Sequence, residues 1–78
     1  MRVAPKIELA PEEKTILSKW SRGRSTPARL VLRAKVVLLA AEGVQSREIA
    51  LRLKTSRQTV GLWRSRFVAR RCAGIEKD

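Results

Sequence analysis

Ser56, Arg57, Gln58 and Thr59 stand in a row at the head of a helical pattern, and Gly61, Arg64, Ser65 and Arg66 follow along it. Arginine can grip the O6/N7 edge of guanine at two points and glutamine the N6/N7 edge of adenine, while Ser and Thr hydroxyls hold phosphate oxygens. The chemistry these residue types support is recognition of double-stranded DNA. Arg57 and Gln58 are the first candidates for base reading, although an exposed Gln can equally be a solvated surface residue. Ser56 also stands where a helix needs a cap for its free N–H groups, and capping and phosphate contact are compatible. Arg47, Arg52 and Lys54, just upstream, either touch the phosphate backbone or only raise the local field. Gly61 costs roughly 1 kcal/mol of helix stability against Ala; close backbone approach to DNA explains it, and so does tolerance of a weak residue.

These side chains need two helices to aim them. From Val44 to Phe67, two helical patterns meet across a short turn at Lys54 and Thr55. The first gathers Ile49, Ala50 and Leu53 on one face, and the second gathers Val60, Trp63 and Phe67, the spacings of helices that pack together. Ala50 is small enough to let the two axes approach. At 100° per residue, Gln58, Gly61, Leu62 and Ser65 lie opposite the apolar stripe. Arg57 and Arg64 fall on one flank and Arg66 on the other. That is the pattern of a helix-turn-helix with its second helix in the major groove. Trp63 reads as core because its spacing joins it to Val60 and Phe67.

The whole chain agrees with a binding module. At 78 residues it can build one small helical core but no deep catalytic cavity. Only Trp20, Trp63 and Phe67 are aromatic, so aliphatic side chains must fill the interior. Eighteen Lys and Arg against seven acids leave a net charge of +11, which calls for a polyanionic partner. Residues 21–35 carry Arg22, Arg24, Arg29, Arg33 and Lys35 without an acid, and residues 46–71 carry eight Arg or Lys against Glu48 alone. Arg22 and Arg24 are weaker candidates for a minor-groove or phosphate contact. The same charge would also suit a cationic protein of membrane surfaces or protein partners, the rival reading from another class.

Catalysis is not expected. Asp78 is the only Asp, the Glu residues occupy helix starts or surface positions, and no phosphate-cradling glycine loop occurs. Cys72 is the single cysteine and His is absent, so neither an internal disulfide nor a metal site is expected, and no cofactor is implied. The start of the chain does not read as a signal peptide, and the apolar run from Val36 to Ala41 is far below the roughly 20 residues that span a bilayer. The expected setting is the cytoplasm, in association with the nucleoid.

Four helices are expected, giving an all-α fold. Residues 1–9 read as a flexible arm, with Val3, Ile7 and Leu9 able to dock. Pro11, Glu12 and Glu13 start a helix over about 11–21 that buries Ile16, Leu17 and Trp20, with Ala10 a poor cap that lets the start fray. Thr26 and Pro27 cap and open a second helix that runs to about Glu42 and stops at Gly43. It is apolar on most sides, with Leu30, Ala34, Val37 and Ala41 on one face and Leu32 and Leu39 on another. Either its neighbours wrap it or another domain or chain covers it; Leu32 and Leu39 are the candidates for self-association. Helix three covers about 46–53, capped by Gln45 or Ser46, and helix four covers about 57–70. The helix-turn-helix domain thus occupies 10–74, with the chain breaking near Gly74 and residues 75–78 opening a linker or tail.

Three segments together resemble the N-terminal helix-turn-helix domain of bacterial insertion-sequence transposases of the mariner superfamily: LAPEEKTIL, STPARLVLRAKVVLLAAEGVQSREIALRL and TSRQTVGLWRSRFVARRCAGI. The likeness runs from about Leu9 to Gly74. It implies a homeodomain-like or paired-like reader of an element's terminal inverted repeats, with Ser56, Arg57, Gln58 and Thr59 opening the recognition helix and Arg64 and Arg66 further along it. It also implies a second DNA-binding subdomain and an acidic catalytic domain downstream, and a contact with that domain or with a second copy. Two departures stand out. Lys54 occupies the place of the usual turn glycine, so the turn either accepts a left-handed non-Gly residue or takes another shape. The chain ends where a basic linker is expected, as a fragment, a decayed element or a stand-alone reader, which could also be a transcription regulator.

Overall fold

The computed structural model describes residues 7–23 and 26–76, and every regular element in them is helical: α1 (Pro11–Ser21), α2 (Ala28–Ala41), α3 (Ser46–Leu53), α4 (Arg57–Arg70) and α5 (Cys72–Glu76). Val3, Arg24 and Lys77 lie outside the described residues.

Helix α2 packs against all four other helices. That contact explains why it is apolar on most sides: Ala34, Val36, Val37 and Ala40 are buried, and Leu32 and Leu39 are half-buried rather than outward-facing. Gly43 ends it with φ +91°, the left-handed conformation that closes a helix without a Cβ penalty. Its amide bonds the Ala40 carbonyl at 3.0 Å and the next amide, of Val44, reaches Leu39 at 3.1 Å. The cap position at the other end is Pro27 rather than the expected Thr26, and it offers no side-chain acceptor.

Helix α1 differs from expectation in what it buries and how it starts. Leu17 is fully buried and Trp20 half-buried, but Ile16 is exposed, because α1 meets the core along a narrower stripe than three apolar residues suggest. Ala10 has no capping side chain, yet the Glu13 carboxylate turns back to accept the Ala10 N–H at 3.0 Å. The arm is not wholly free either: Ile7 is buried and Leu9 packs partly on the core.

The fifth helix is a correction to the four-helix expectation. Ile75, placed by sequence in a tail, is fully buried beside Phe67, Leu17 and Ile49 in the core cluster. Its burial draws α5 back onto α4 so closely that a Cβ on Gly74 would fall on the Arg66 carbonyl. Gly74 is therefore a close-approach residue inside the fold, not a helix stop. Among the described residues no helix is long and apolar enough to cross a membrane.

Candidate nucleic-acid interface

Helices α3 and α4 bring Ile49 and Ala50 against Val60, Trp63 and Phe67, all buried. The turn between them depends on Lys54, which takes φ +56°, ψ +46°, the left-handed conformation itself. Its neighbour's amide, of Thr55, returns to the Ala50 carbonyl at 2.9 Å and closes α3. A lysine here carries a Cβ penalty that glycine would avoid. Ser56 then caps α4, its Oγ accepting the Thr59 N–H at 3.1 Å and lying 2.9 Å from the Thr59 hydroxyl.

With the turn set, the outward side of α4 presents Gln58, Leu62, Ser65 and Ala69, all exposed. Gly61 sits half-buried beside them, and a Cβ there would meet nothing within 4 Å, so no intramolecular packing demands glycine. Arg57 is exposed at the first turn of α4. It lines one shallow groove together with Arg47, Ala50, Leu51 and Thr55, which brings two expected DNA-contacting cations to one place on different helices. Lys54 is exposed at the turn next to them, and Arg52 is exposed with Glu48 3.9 Å away on the same face of α3.

Two expected contact residues also make contacts within the fold. Arg64 is buried, 8% exposed, and donates to the Ser46 hydroxyl at 3.2 Å, tying α4 to the first turn of α3. Burial lowers the pKa of its guanidinium, which stays charged at neutral pH. The helical wheel carried the signal: at 100° per residue Arg64 lies only about 40° from Val60, on the edge of the apolar stripe. Arg66 is half-buried, its guanidinium 5.2 Å from the centre of the Trp63 ring. That ring also receives Arg33 at 3.9 Å, within cation–π range.

Arg33, one of the basic residues of the 21–35 run, is interior. It is 7% exposed and donates to the Ile75 carbonyl at 3.1 Å, joining α2 to α5 through α4. Arg71 is likewise structural. Its side chain grips Glu13 at 2.7 and 2.9 Å, reaches the Glu8 carbonyl and lies 4.5 Å from the Phe67 ring centre. The hydrogen bonds from Arg71, and then from the Ala10 N–H, hold the Glu13 carboxyl below its ordinary value. Cys72 is half-buried, and burial pushes its thiol up. Among the described residues the cationic surface left for a partner is narrower than +11 implies; Arg47, Arg52, Lys54 and Arg57 stand exposed on α3, the turn and the start of α4, and Lys14, Lys19, Arg22, Arg29, Lys35 and Arg70 are exposed elsewhere.

The profile of the homeodomain-like domain matches residues 27–76, from the residue before α2 through the end of α5. Comparison with curated proteins and with solved structures gives no match.

Proposed function

Because this chain belongs to the homeodomain-like domain family, we propose that it is a sequence-reading module for double-stranded DNA whose helix α4 enters the major groove at the terminal inverted repeats of a transposable element. The observation that carries the DNA reading is the outward stripe of α4, where Gln58 and Ser65 stand exposed opposite the buried Val60, Trp63 and Phe67, with exposed Arg57 at its head. In this reading Arg57 and Gln58 contact base edges. Ser56, Thr59, Arg47 and Lys54 hold phosphates around them, and Gly61, Ser65 and Arg66 line the approach. The likeness of the three quoted segments to insertion-sequence transposases supports the inverted-repeat target. The module does no chemistry in this scheme, and the strand-cutting step belongs to a catalytic domain outside it.

Selection of bound duplexes from a random pool tests the proposal. One enriched motif is expected, recurring in opposite orientation at the two ends of a mobile element. Binding should fall with salt at a log–log slope of roughly −5, for five or six phosphate contacts. Within the selected motif Arg57→Ala should cost about 1–3 kcal/mol of site preference, while Lys54→Ala weakens cognate and random duplex alike. Enrichment of single, unrepeated sites near promoters would point to a regulator instead. Binding to anionic vesicles with no preference among duplexes would overturn the DNA reading altogether.

A further inference from the structure

We propose that Leu62, with the bare backbone of Gly61 beside it, is a specificity-determining contact for the 5-methyl group of a thymine; the inference rests on the major-groove reading of α4. Leu62 is 45% exposed although the core has no need of it, since Val60, Trp63, Arg64 and Phe67 already form the buried side of the helix. On the wheel, Gln58, Leu62, Ser65 and Ala69 fall within about 60° of one another, with Leu62 at the edge of that arc toward Arg66 and, along the axis, between Gln58 and Ser65. A side chain ending in methyl groups can neither donate nor accept a hydrogen bond. Among the base edges of the major groove only thymine offers an apolar group to match it.

Gly61 completes the site. It weakens the helix by roughly 1 kcal/mol relative to Ala, and nothing within 4 Å of its missing Cβ accounts for that choice inside the molecule. Without a Cβ there, the helix can settle closer to the groove floor and bring Leu62 within contact of a methyl. A second copy of the chain is the poorer occupant. A net charge of +11 repels it, and on the wheel the polar Gln58 and Ser65 lie between Leu62 and the exposed Val68 on the flank of α4. Gln58 lies one turn before Leu62, about 6 Å along the axis. The methyl-bearing thymine should then lie within about two base pairs of the adenine that Gln58 reads.

Deoxyuridine differs from thymidine only by that methyl. Each thymine of the duplex selected from the random pool is replaced singly by deoxyuridine, and affinity is measured for the native chain and for Leu62→Ala. One replacement should weaken the native chain about three- to tenfold and leave Leu62→Ala unchanged. Leu62→Ala itself should lose a similar factor on the thymine duplex while keeping its helix content, since the position is exposed and Ala is a strong helix former. Uniform indifference to deoxyuridine, or a sensitivity that survives undiminished in Leu62→Ala, would overturn the thymine contact while leaving the DNA reading intact. Failure of the pool to enrich any motif would remove both.

Discussion

The Arg64 guanidinium donates to the Ser46 hydroxyl at 3.2 Å, so the helix proposed to read DNA is bolted to the first turn of the helix that supports it. That bond assigns Arg64 a role in joining α3 to α4, and its test against direct contact with a partner is a substitution. Arg64→Ala should lower stability by about 1–3 kcal/mol, the usual effect of removing a buried hydrogen-bonded cation and its stem. Affinity should fall on cognate and random duplex together while the salt slope stays the same. A direct phosphate contact would instead reduce that slope by about one, so a salt titration of the variant separates the two roles.

Glu13 and Arg71 tie the first turn of α1 to the end of α4, and their ion pair makes stability depend on pH. Because the folded-state pKa of Glu13 is depressed from an ordinary value of 4.5, the folded state holds fewer protons than the unfolded one in the acid range. The stabilisation is therefore fully present above the ordinary value and is lost as pH falls through the depressed one. Urea midpoints should fall more steeply for the native chain than for Glu13→Gln below about pH 4.5. The effect should be modest, since the Arg71 side chain is 43% exposed and screened.

Two glycines should respond to alanine with opposite signs. Gly61→Ala meets open space and should stabilise the helix by roughly 1 kcal/mol, while DNA affinity falls if the backbone approaches the groove there. Gly74→Ala drives a Cβ onto the Arg66 carbonyl, a backbone atom that cannot swing away. Overpacking of that kind costs about 1–3 kcal/mol. Thermal melting of the two variants against the native chain checks both directions.

Lys54 holds a left-handed backbone that glycine adopts without strain. Lys54→Gly should raise the unfolding free energy by up to about 1 kcal/mol, the relief of strain being partly offset by the greater freedom of glycine in the unfolded chain. The same substitution removes a proposed phosphate contact. Denaturant stability should rise while affinity for all duplexes drops, and a parallel change in both would contradict the division of roles.

Much of this was legible because helix signals are local. The Pro11 start, the Gly43 stop, the Ser56 cap and the 3.6-residue spacing of Val60, Trp63 and Phe67 each act within a turn or two, and each appears as expected. What escaped involves partners far apart in sequence. Nothing near Arg33 shows that it will meet the Ile75 carbonyl 42 residues away, nor anything near Arg71 that Glu13 lies 58 residues back. An arginine written among surface charges becomes an internal tie only when another helix brings an acceptor or a ring to it.

The sequence by itself determined the first four helices, the place of the turn at Lys54 and which side of α4 is apolar, because periodicity and capping depend on neighbours along the chain; α5 and the left-handed shape of the turn came with the fold. Only the tertiary structure decided which cations remain outside. It drew Arg33, Arg64 and Arg71 into structural contacts and left Arg47, Lys54 and Arg57 exposed around the presented stripe. The reason is physical: burying a guanidinium requires fixed acceptors and aromatic faces converging from several helices, and that convergence exists only once the chain has folded.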